Sequence, residues 1–454
     1  TTIAGLLGLL THSVIPAKQA GILASSGVFA ALLLSLSFIP ALLCRRKNTM
    51  TWKKQGRNND IINNLIVKSG EAVIRHPGAV LLIAFLFTLA VSSCIFFLAI
   101  ETNQENFFPA NNPVRKASDI INRKFGGSQT VSVMVSGDIK DPSVMRSIDE
   151  LSSNLTDLKG VGDVYSISQV VREMSKAIFD KGDPEYNSIP MSREAIAQMF
   201  ELYYMSGDQG DFRQLINHGN TRAHILVKLS EPSEDVISDV QGSISGFIPP
   251  PGTRITTGGN AIIMADFARL IFRGQVKSLI LALSLVLILL TIIFRSLKAG
   301  IISSVPLALS ILILFGFMGF TGIAIDAATA LLSSIMIGVG VDFTIQFLWH
   351  FKRVLAKGSS YKDSVMISLT EIGRRIMINA LAVMSGFSVL IFSGFSSIRF
   401  FGYLVFISIG SCLAGALVII PAILVFFRPS CFRREQKIQS FMRYIIITGN
   451  KDDK

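Results

Sequence analysis

Cysteine is scarce in this sequence of 454 residues. The four cysteines are Cys44, Cys94, Cys412 and Cys431, and none lies between residues 101 and 277, the most polar part of the chain. A disulfide framework is therefore excluded there, and no Cys/His spacing typical of a zinc site occurs. The chain also lacks the Gly-x4-Gly-Lys-Ser/Thr pattern of ATP-binding loops, so ATP is not the evident energy source.

Charged residues are also few, at 16% of the chain, whereas half of the residues are hydrophobic. Together with a mean hydropathy of +0.52, this is typical of a protein that crosses a membrane many times. A helix needs about 20 predominantly apolar residues to span a bilayer. Seven stretches meet this requirement, and residues 1–10 resemble the end of an eighth. The seven are residues 20–43, 78–100, 278–294, 300–323, 327–350, 376–395 and 400–427.

The net charge of +12 is distributed unevenly, and its distribution argues against nucleic-acid binding. Residues 101–277 hold 18 Lys and Arg against 22 Asp and Glu, a net charge of −4, and the rest holds 25 against 9, a net charge of +16. Positive charge marks the cytoplasmic side of a membrane protein. The pattern predicts a cytoplasmic C-terminus and an external position for residues 101–277. We expect a multi-pass protein of the plasma (inner) membrane of a bacterium. Of the 25 cationic residues, 23 fall in residues 45–76, 295–298, 352–375 and 428–454.

Two parts of the sequence resemble each other at a constant offset of 381 residues. Both contain an apolar hairpin that ends in Pro-Ala and is followed by a basic cluster, which indicates a duplication. Residues 1–43 are then the last spans of a first half, residues 61–427 form a second, six-span half, and most of the first half is missing. The equivalent pairs are Gly5 and Gly386, Gly21 and Gly402, Pro40 and Pro421, and Ala41 and Ala422.

Helix and strand patterns alternate between residues 101 and 277, unlike in the apolar remainder. Two β-α-β units are predicted there, with an inserted helix between them. We expect an external α/β domain of the ferredoxin-like type, arranged as two small open layers. The whole chain is predicted to divide into six segments. They are the last spans of the first half (1–43), a cytoplasmic linker (44–77), a transmembrane span (78–100), the external domain (101–277), a five-span transmembrane block (278–427) and a cytoplasmic tail (428–454).

One carboxylate, Asp342, lies deep within an apolar stretch. At about 1.5 Å per helical residue, it is roughly 15 Å from Lys352 and roughly 24 Å from Asp326. That position is near the middle of a hydrocarbon core about 30 Å thick. Since an ionisable group there costs at least about 2.5–3.5 kcal/mol to insert, it marks an ion or proton path by default. A structural carboxylate that never titrates is the alternative.

Small and polar residues recur every four positions around Asp342 and so lie near one helix face. Such a face permits the close approach of a second helix. We predict that it supports a proton-coupling role of Asp342. On the next span, Asn379 is either a hydrogen-bond partner of Asp342 or a structural amide. The predicted supporting residues are Ser334, Gly338, Gly340, Gln346 and Asn379.

The sequence resembles the resistance-nodulation-division (RND) superfamily over essentially all of residues 1–427, and within it MMPL-like and hopanoid-type lipid exporters. The most specific match is the run Gly338-Val-Gly-Val-Asp342 on the fourth span of a half. Residues 278–427 are also similar to the five-span sterol-sensing domain. Supporting motifs are Glu105-Asn-Phe-Phe-Pro, Gly258-Gly-Asn, Phe294-Arg-Ser and Phe315-Gly-Phe-Met-Gly.

This resemblance implies a polytopic α-helical membrane protein of RND type with an external porter domain. It also implies proton-driven export, in which an aspartate on the fourth span of each half titrates at the centre of the membrane domain. Asp342 carries over as that group, and no cofactor besides the proton gradient is implied. Many MMPL-type members have tyrosine after this aspartate, whereas this sequence has Phe343, which puts the reciprocal Asp–Tyr pairing in doubt.

The predicted function is therefore a proton-driven secondary exporter of lipids or other hydrophobic or amphiphilic molecules, not an enzyme. An intramembrane aspartyl protease is disfavoured because its Gly-x-Gly-Asp motif is one residue shorter than the spacing here. A membrane lipid or sterol sensor and a protein-export accessory of the same superfamily remain open as alternatives. The predicted partners are membrane lipids, the hydrophobic substrate, the missing N-terminal half, and a homo-oligomer or a periplasmic protein, with no nucleic acid.

Overall fold

The computed structural model describes residues 2–45, 61–101, 103–206 and 213–432. The chain forms two compact units. One consists of Thr1–Ala99 together with Leu270–Lys454 and is termed the membrane unit. The other, Ile100–Arg269, is termed the α/β unit.

Among the described residues, seven helices of the membrane unit are long and apolar enough to cross a membrane. Each of the seven predicted spans falls largely on one of them, which confirms the polytopic helical fold. A shorter apolar helix, Thr2–Thr11, precedes the first, where the end of an eighth span is predicted. The seven are Ile15–Arg45, Pro77–Phe97, Asn260–Phe294, Leu297–Thr321, Ala328–Ala356, Tyr361–Phe392 and Ser396–Phe427.

Two of these helices contain a π-helical turn, in which the hydrogen bonds are one residue longer than in an α-helix. The turns are Leu369–Gly373 and Gly415–Ile419. An additional amphipathic helix, Ile61–Arg75, precedes the span that begins at Pro77. Its apolar face packs on the first π-helical turn, where Gly70 lies against the Leu369 side chain.

The helix Ala327–Ala356 begins at a capping box formed by Asp326 and Thr329. The Asp326 carboxylate accepts the Thr329 backbone N–H at 2.7 Å, and the Thr329 hydroxyl accepts the Asp326 N–H at 2.8 Å. The two bonds satisfy backbone donors that a helix start otherwise leaves unpaired. Asp326 is therefore the N-cap of this helix.

Ala327–Ala356, termed the Asp342 helix, is the most enclosed of the seven, because 75% of its most apolar stretch is buried. In Pro77–Phe97 the same fraction is 6%. Phe343, Phe347 and Phe351 recur every four residues on the Asp342 helix and are fully buried. The Asp342 helix therefore runs through the core of the membrane unit. Its neighbours include Thr2–Leu7, Leu297–Thr321, Tyr361–Ser368 and Ser396–Ala414.

The α/β unit is built on a four-stranded sheet in which every neighbouring pair is antiparallel. In β1, Val131, Val133 and Val135 are buried and alternate with more exposed residues, as a strand with one face on a core requires. The strands are β1 (Gln129–Ser136), β2 (Val161–Tyr165), β3 (Arg222–Leu229) and β4 (Arg254–Gly258), in the order β2-β3-β1-β4. The helices of this unit are Pro113–Lys124, Pro142–Thr156, Ile167–Ile178, Arg193–Ser206 and Glu234–Gly246.

This order and these connections are those of a ferredoxin-like domain, as predicted. The prediction of two separate layers is wrong, because the strands of the two β-α-β units interleave in one sheet. β3 pairs with β1 along its whole length, from Gln129 opposite Leu229 to Ser136 opposite Arg222. Each β-α-β unit supplies one central strand and one edge strand of this sheet. Neither β-α-β unit therefore buries its apolar face without the other.

Candidate functional site

Asp342 lies midway along the Asp342 helix and is half-buried. Its Oδ2 atom accepts a hydrogen bond of 3.0 Å from Oγ1 of Thr2. The same hydroxyl lies 3.5 Å from the carbonyl oxygen of Gly338, one turn earlier. A hydroxyl from a second, separate helix is thus held against the carboxylate.

Two glycines make this approach feasible. A Cβ atom on Gly5 would lie 2.6 Å from the Gly338 nitrogen, and a Cβ atom on Gly338 would lie 2.9 Å from the Thr2 carbonyl oxygen. Atoms essentially never approach a Cβ atom so closely, and both obstacles are backbone. Glycine is therefore required at both positions for Thr2–Leu7 to lie on the Asp342 helix.

Gly340 has a different neighbour from Gly338. A Cβ atom there would overlap Cys412 Sγ, on the helix Ser396–Ala414. The structure therefore places Gly340 at a helix crossing rather than beside the Thr2 hydroxyl. The two glycines of the motif each admit a different helix.

Ser334 lies two turns from Asp342, toward the capped end of the helix, and is fully buried. Its hydroxyl is 2.9 Å from the Ser278 hydroxyl on Asn260–Phe294, which we term the Gly274 helix. One residue earlier, Ser333 accepts a hydrogen bond from the Gln275 side-chain amide of the same helix. Buried polar contacts thus join the Asp342 helix to a second neighbour.

The two predicted amides occupy exposed positions. Gln346 lies one turn beyond Asp342 on the same helix, and Asn379 lies on Arg374–Ser388. Neither side chain makes a hydrogen bond within the part of the chain that the structure describes. The structure therefore does not bring Asn379 together with Asp342.

His350 continues the same face two turns beyond Asp342, toward the end of the helix at Ala356. Its Nδ1 atom lies 3.2 Å from the Ser368 hydroxyl, and its Nε2 atom lies 3.0 Å from a Glu371 carboxylate oxygen. The Glu371 side chain is 64% exposed. The side of the Asp342 helix that carries Asp342 therefore ends at His350 and a Glu371 carboxylate exposed to solvent.

Sequence reasoning missed Thr2, Gln275 and Ser278, because all three lie on helices distant in the chain from Asp342. For Thr2 the sequence did contain a signal. Gly5 and Gly8 are small residues on the same short apolar stretch, which indicates that this helix packs closely against another helix. In residues 2–45, 61–101, 103–206 and 213–432, no group of three or more His, Cys, Asp or Glu side chains that could hold a metal ion occurs.

Comparison with known proteins gives a match to the model of the MMPL family over residues 106–445. The chain is 22% identical over 381 residues to the membrane protein MJ1562 of Methanocaldococcus jannaschii, a match that covers 80% of this chain and 94% of that protein. It is 24% identical over 186 residues to the apo-petrobactin exporter of Bacillus anthracis. That match covers 40% of this chain and 25% of the exporter.

Among solved structures, the cryo-EM structure of the hedgehog release protein Disp from the water bear Hypsibius dujardini aligns with a TM-score of 0.64. The sequences are 13% identical, and the alignment covers 94% of this chain and 57% of the Disp chain. At this identity the likeness shows a shared fold alone.

Proposed function

The chain belongs to the MMPL family of the RND superfamily and is a multi-pass membrane protein, and from this premise we propose that it is a proton-driven secondary exporter. The proposed substrates are lipids or other hydrophobic or amphiphilic molecules. In this proposal the α/β unit faces the exterior and the C-terminus lies in the cytoplasm.

The observation that carries the proposal is the hydrogen bond between Thr2 and Asp342 at the middle of the most enclosed helix. An ionised carboxylate only accepts hydrogen bonds, whereas a protonated one also donates. Binding a proton therefore changes the bond that ties Thr2–Leu7 to the Asp342 helix. This links protonation to helix packing, which an exporter driven by protons requires.

An apolar groove supports a hydrophobic substrate. It measures about 580 Å³ and lies among Pro77–Ser92, Leu297–Thr321 and Ser396–Phe427. A groove with this lining accommodates an acyl chain or another apolar group without leaving buried polar atoms unpaired. Its lining includes Leu81, Phe85, Ile302, Leu309, Ile423 and Phe427.

The test replaces the carboxylate without changing its size. Asp342→Asn in the natural full-length protein keeps hydrogen bonding and removes titration. In reconstituted vesicles with a pH-sensitive dye inside, we expect the variant to lose both the proton flux and the gradient-dependent release of a fluorescent phospholipid. Asp342→Glu should retain part of both, because the carboxylate survives but moves by one methylene.

The matched control is Asp239→Asn, which removes an exposed carboxylate of the α/β unit and should leave both readouts at the wild-type level. Lipid release by Asp342→Asn at the wild-type rate, still dependent on the gradient, would make Asp342 structural. Lipid binding by the wild type without any proton flux would instead favour a lipid sensor over an exporter.

A further inference from the structure

His12 is a buried histidine that the role of Asp342 does not use. It lies in the turn between Thr2–Thr11 and Ile15–Arg45 and is 2% exposed. Its Nδ1 atom accepts the Val14 backbone N–H at 3.2 Å, which places the ring proton of the neutral form on Nε2. The imidazole lies against the Gly274 helix, where a Cβ atom on Gly274 would lie 2.9 Å from Cε1 and from Nδ1.

Two buried polar atoms occur at this crossing without a hydrogen-bond partner among the described residues. They are Nε2 of His12 and Oε1 of Gln275, and Gln275 directly follows the glycine on which the imidazole packs. Buried polar atoms in proteins are nearly always bonded to protein or to an ordered water molecule. The site is therefore polar enough to hold water between the imidazole and the amide.

From this crossing, polar groups continue toward Asp342 along the Asp342 helix. Gln275 donates to Ser333, and the hydroxyl of the following residue, Ser334, lies 2.9 Å from that of Ser278. Ser334 is about 12 Å along the helix axis from Asp342. The Thr2 hydroxyl contacts the carboxylate from the same short helix segment that ends next to His12.

The polar groups from His12 to Ser334 begin at one end of the membrane unit. At this end the chain passes out of the membrane unit after Ala99 and re-enters it at Leu270. The Ile325 N–H donates to the Ala99 carbonyl at 2.8 Å, and the cap at Asp326 lies at the same end. The charge distribution of the sequence predicts that this end is external. His12 therefore lies where an external proton would arrive.

The surroundings of His12 favour the neutral imidazole. Burial lowers its pKa from the ordinary value, the nearby Ile271 carbonyl, whose geometry is not that of a hydrogen bond to the ring, partly opposes this, and Lys18 lowers the pKa further. On the Gly274 helix the nearby charged groups, Arg273 and Lys277, are exposed cations. The carboxylates of the Asp342 helix and its cap are Asp326, which is bonded to Thr329, and Asp342, which is bonded to Thr2. His12 thus takes a proton only under acidic conditions.

We propose that His12, Gln275 and the Ser278–Ser334 pair form the access route by which external protons reach Asp342. The route rests on the proposed function, since it assumes that Asp342 takes up protons. His12 accepts the external proton and releases it to water, and water and hydroxyl oxygens pass it inward, each accepting one proton as it releases another. The Gln275 amide orients this water and is not itself protonated. The role of His12 is thus to position and relay the proton, and Asp342 remains the group that couples it to transport.

The experiment follows the protonation of Asp342 in time. Right-side-out vesicles with the natural full-length protein receive a rapid external acid jump, and the infrared band of the protonated carboxyl is recorded. Loss of the band in Asp342→Asn assigns it. His12→Asn is the principal variant, because an Asn oxygen still accepts the Val14 N–H and fits beside Gly274 but does not titrate.

We expect His12→Asn to slow protonation from outside by about a hundredfold, the effect typical of a positioned proton-transfer group. Gln275→Leu should slow it as well, and both variants should respond normally to an acid jump from the other side. The control His218→Asn alters an exposed histidine of the α/β unit and should keep the wild-type rate.

Wild-type rates in both His12→Asn and Gln275→Leu would overturn the route and leave the proposed function intact. Equal slowing from both sides would overturn it too, because the defect would then not be specific to the external side. A wild-type protein whose Asp342 band never changes with pH on either side would instead overturn the proposed function.

Discussion

Gly338 and Gly340 are close in sequence and admit different helices to the Asp342 helix. Gly338 admits the backbone of Thr2–Leu7, and Gly340 admits the Cys412 side chain. The Gly-x-Gly-x-Asp motif is therefore a packing device as well as a frame for a carboxylate. The glycines let neighbours approach closely enough for the Thr2 hydroxyl to reach Asp342.

Gly338→Ala tests this packing. The added methyl would lie 2.9 Å from the Thr2 carbonyl oxygen, so Thr2–Leu7 must move away and its bond to Asp342 is lost. We expect a loss of about 1–3 kcal/mol of stability from overpacking, seen as a lower Tm in detergent, together with weaker export. The control Gly386→Ala adds a methyl with no atom within 4 Å and should not lower the Tm. Equal Tm values for Gly338→Ala and the wild type would refute the packing argument.

At the residue scale, the sequence predicts what lies along one helix and little of what lies across from it. Ser334, Gly338 and Asp342 follow from a single period. The hydroxyl of Thr2 comes from 340 positions away in the chain, and that of Ser278 from 56 positions away. Helical periodicity carries no information about such distant neighbours, because it fixes only which residues of one helix share a face.

At the scale of secondary-structure elements, polar N-cap residues determine where helices begin. Asp141 accepts the Ser143 backbone N–H at 2.7 Å at the start of Pro142–Thr156, and Asp326 does the equivalent for the Asp342 helix. Both starts are readable from sequence because the capping chemistry is local. Sheet pairing is not local. Segments about ninety residues apart form β1 and β3, so two β-α-β patterns cannot reveal whether they share a sheet.

The Asp141 cap gives a pH-dependent prediction for this helix. Hydrogen bonds from the Ser143 hydroxyl and backbone N–H hold the pKa of Asp141 below its usual range. A lowered carboxyl pKa contributes stability above the unfolded value of about 3.9, and this contribution is lost as the pH falls through the folded value. Protection of Pro142–Thr156 from hydrogen exchange should therefore fall in acid.

The matched variant is Asp141→Asn, which keeps a capping oxygen that does not titrate. Exchange of Pro142–Thr156 is compared between the two proteins at each pH, so that intrinsic exchange rates cancel. We expect the advantage of the wild type to shrink as the pH drops below about 4. A constant difference across this range would mean that the carboxylate charge does not stabilise the cap.

Across the whole molecule, charge and hydropathy separate the same two parts that the structure forms. The excess of positive charge belongs to the membrane unit, and the negative excess belongs to the segment that contains the α/β unit. Each part is self-contained in its core, one around the Asp342 helix and one around the sheet. The archaeal relative is matched over 94% of its own length, so a protein little longer than the matched segment occurs among the relatives.

The orientation of the chain is tested with single cysteines in a background without Cys44, Cys94, Cys412 and Cys431. Lys181→Cys lies at an exposed position of the α/β unit, and Lys357→Cys lies at an exposed position just beyond the Asp342 helix. Because cations concentrate on the cytoplasmic side, intact cells should react at position 181 with a membrane-impermeant thiol reagent. Position 357 should react only after permeabilisation. The reverse pattern would place Lys352–Arg375 outside, contrary to the charge rule, and would turn the proposed His12 route toward the cytoplasm.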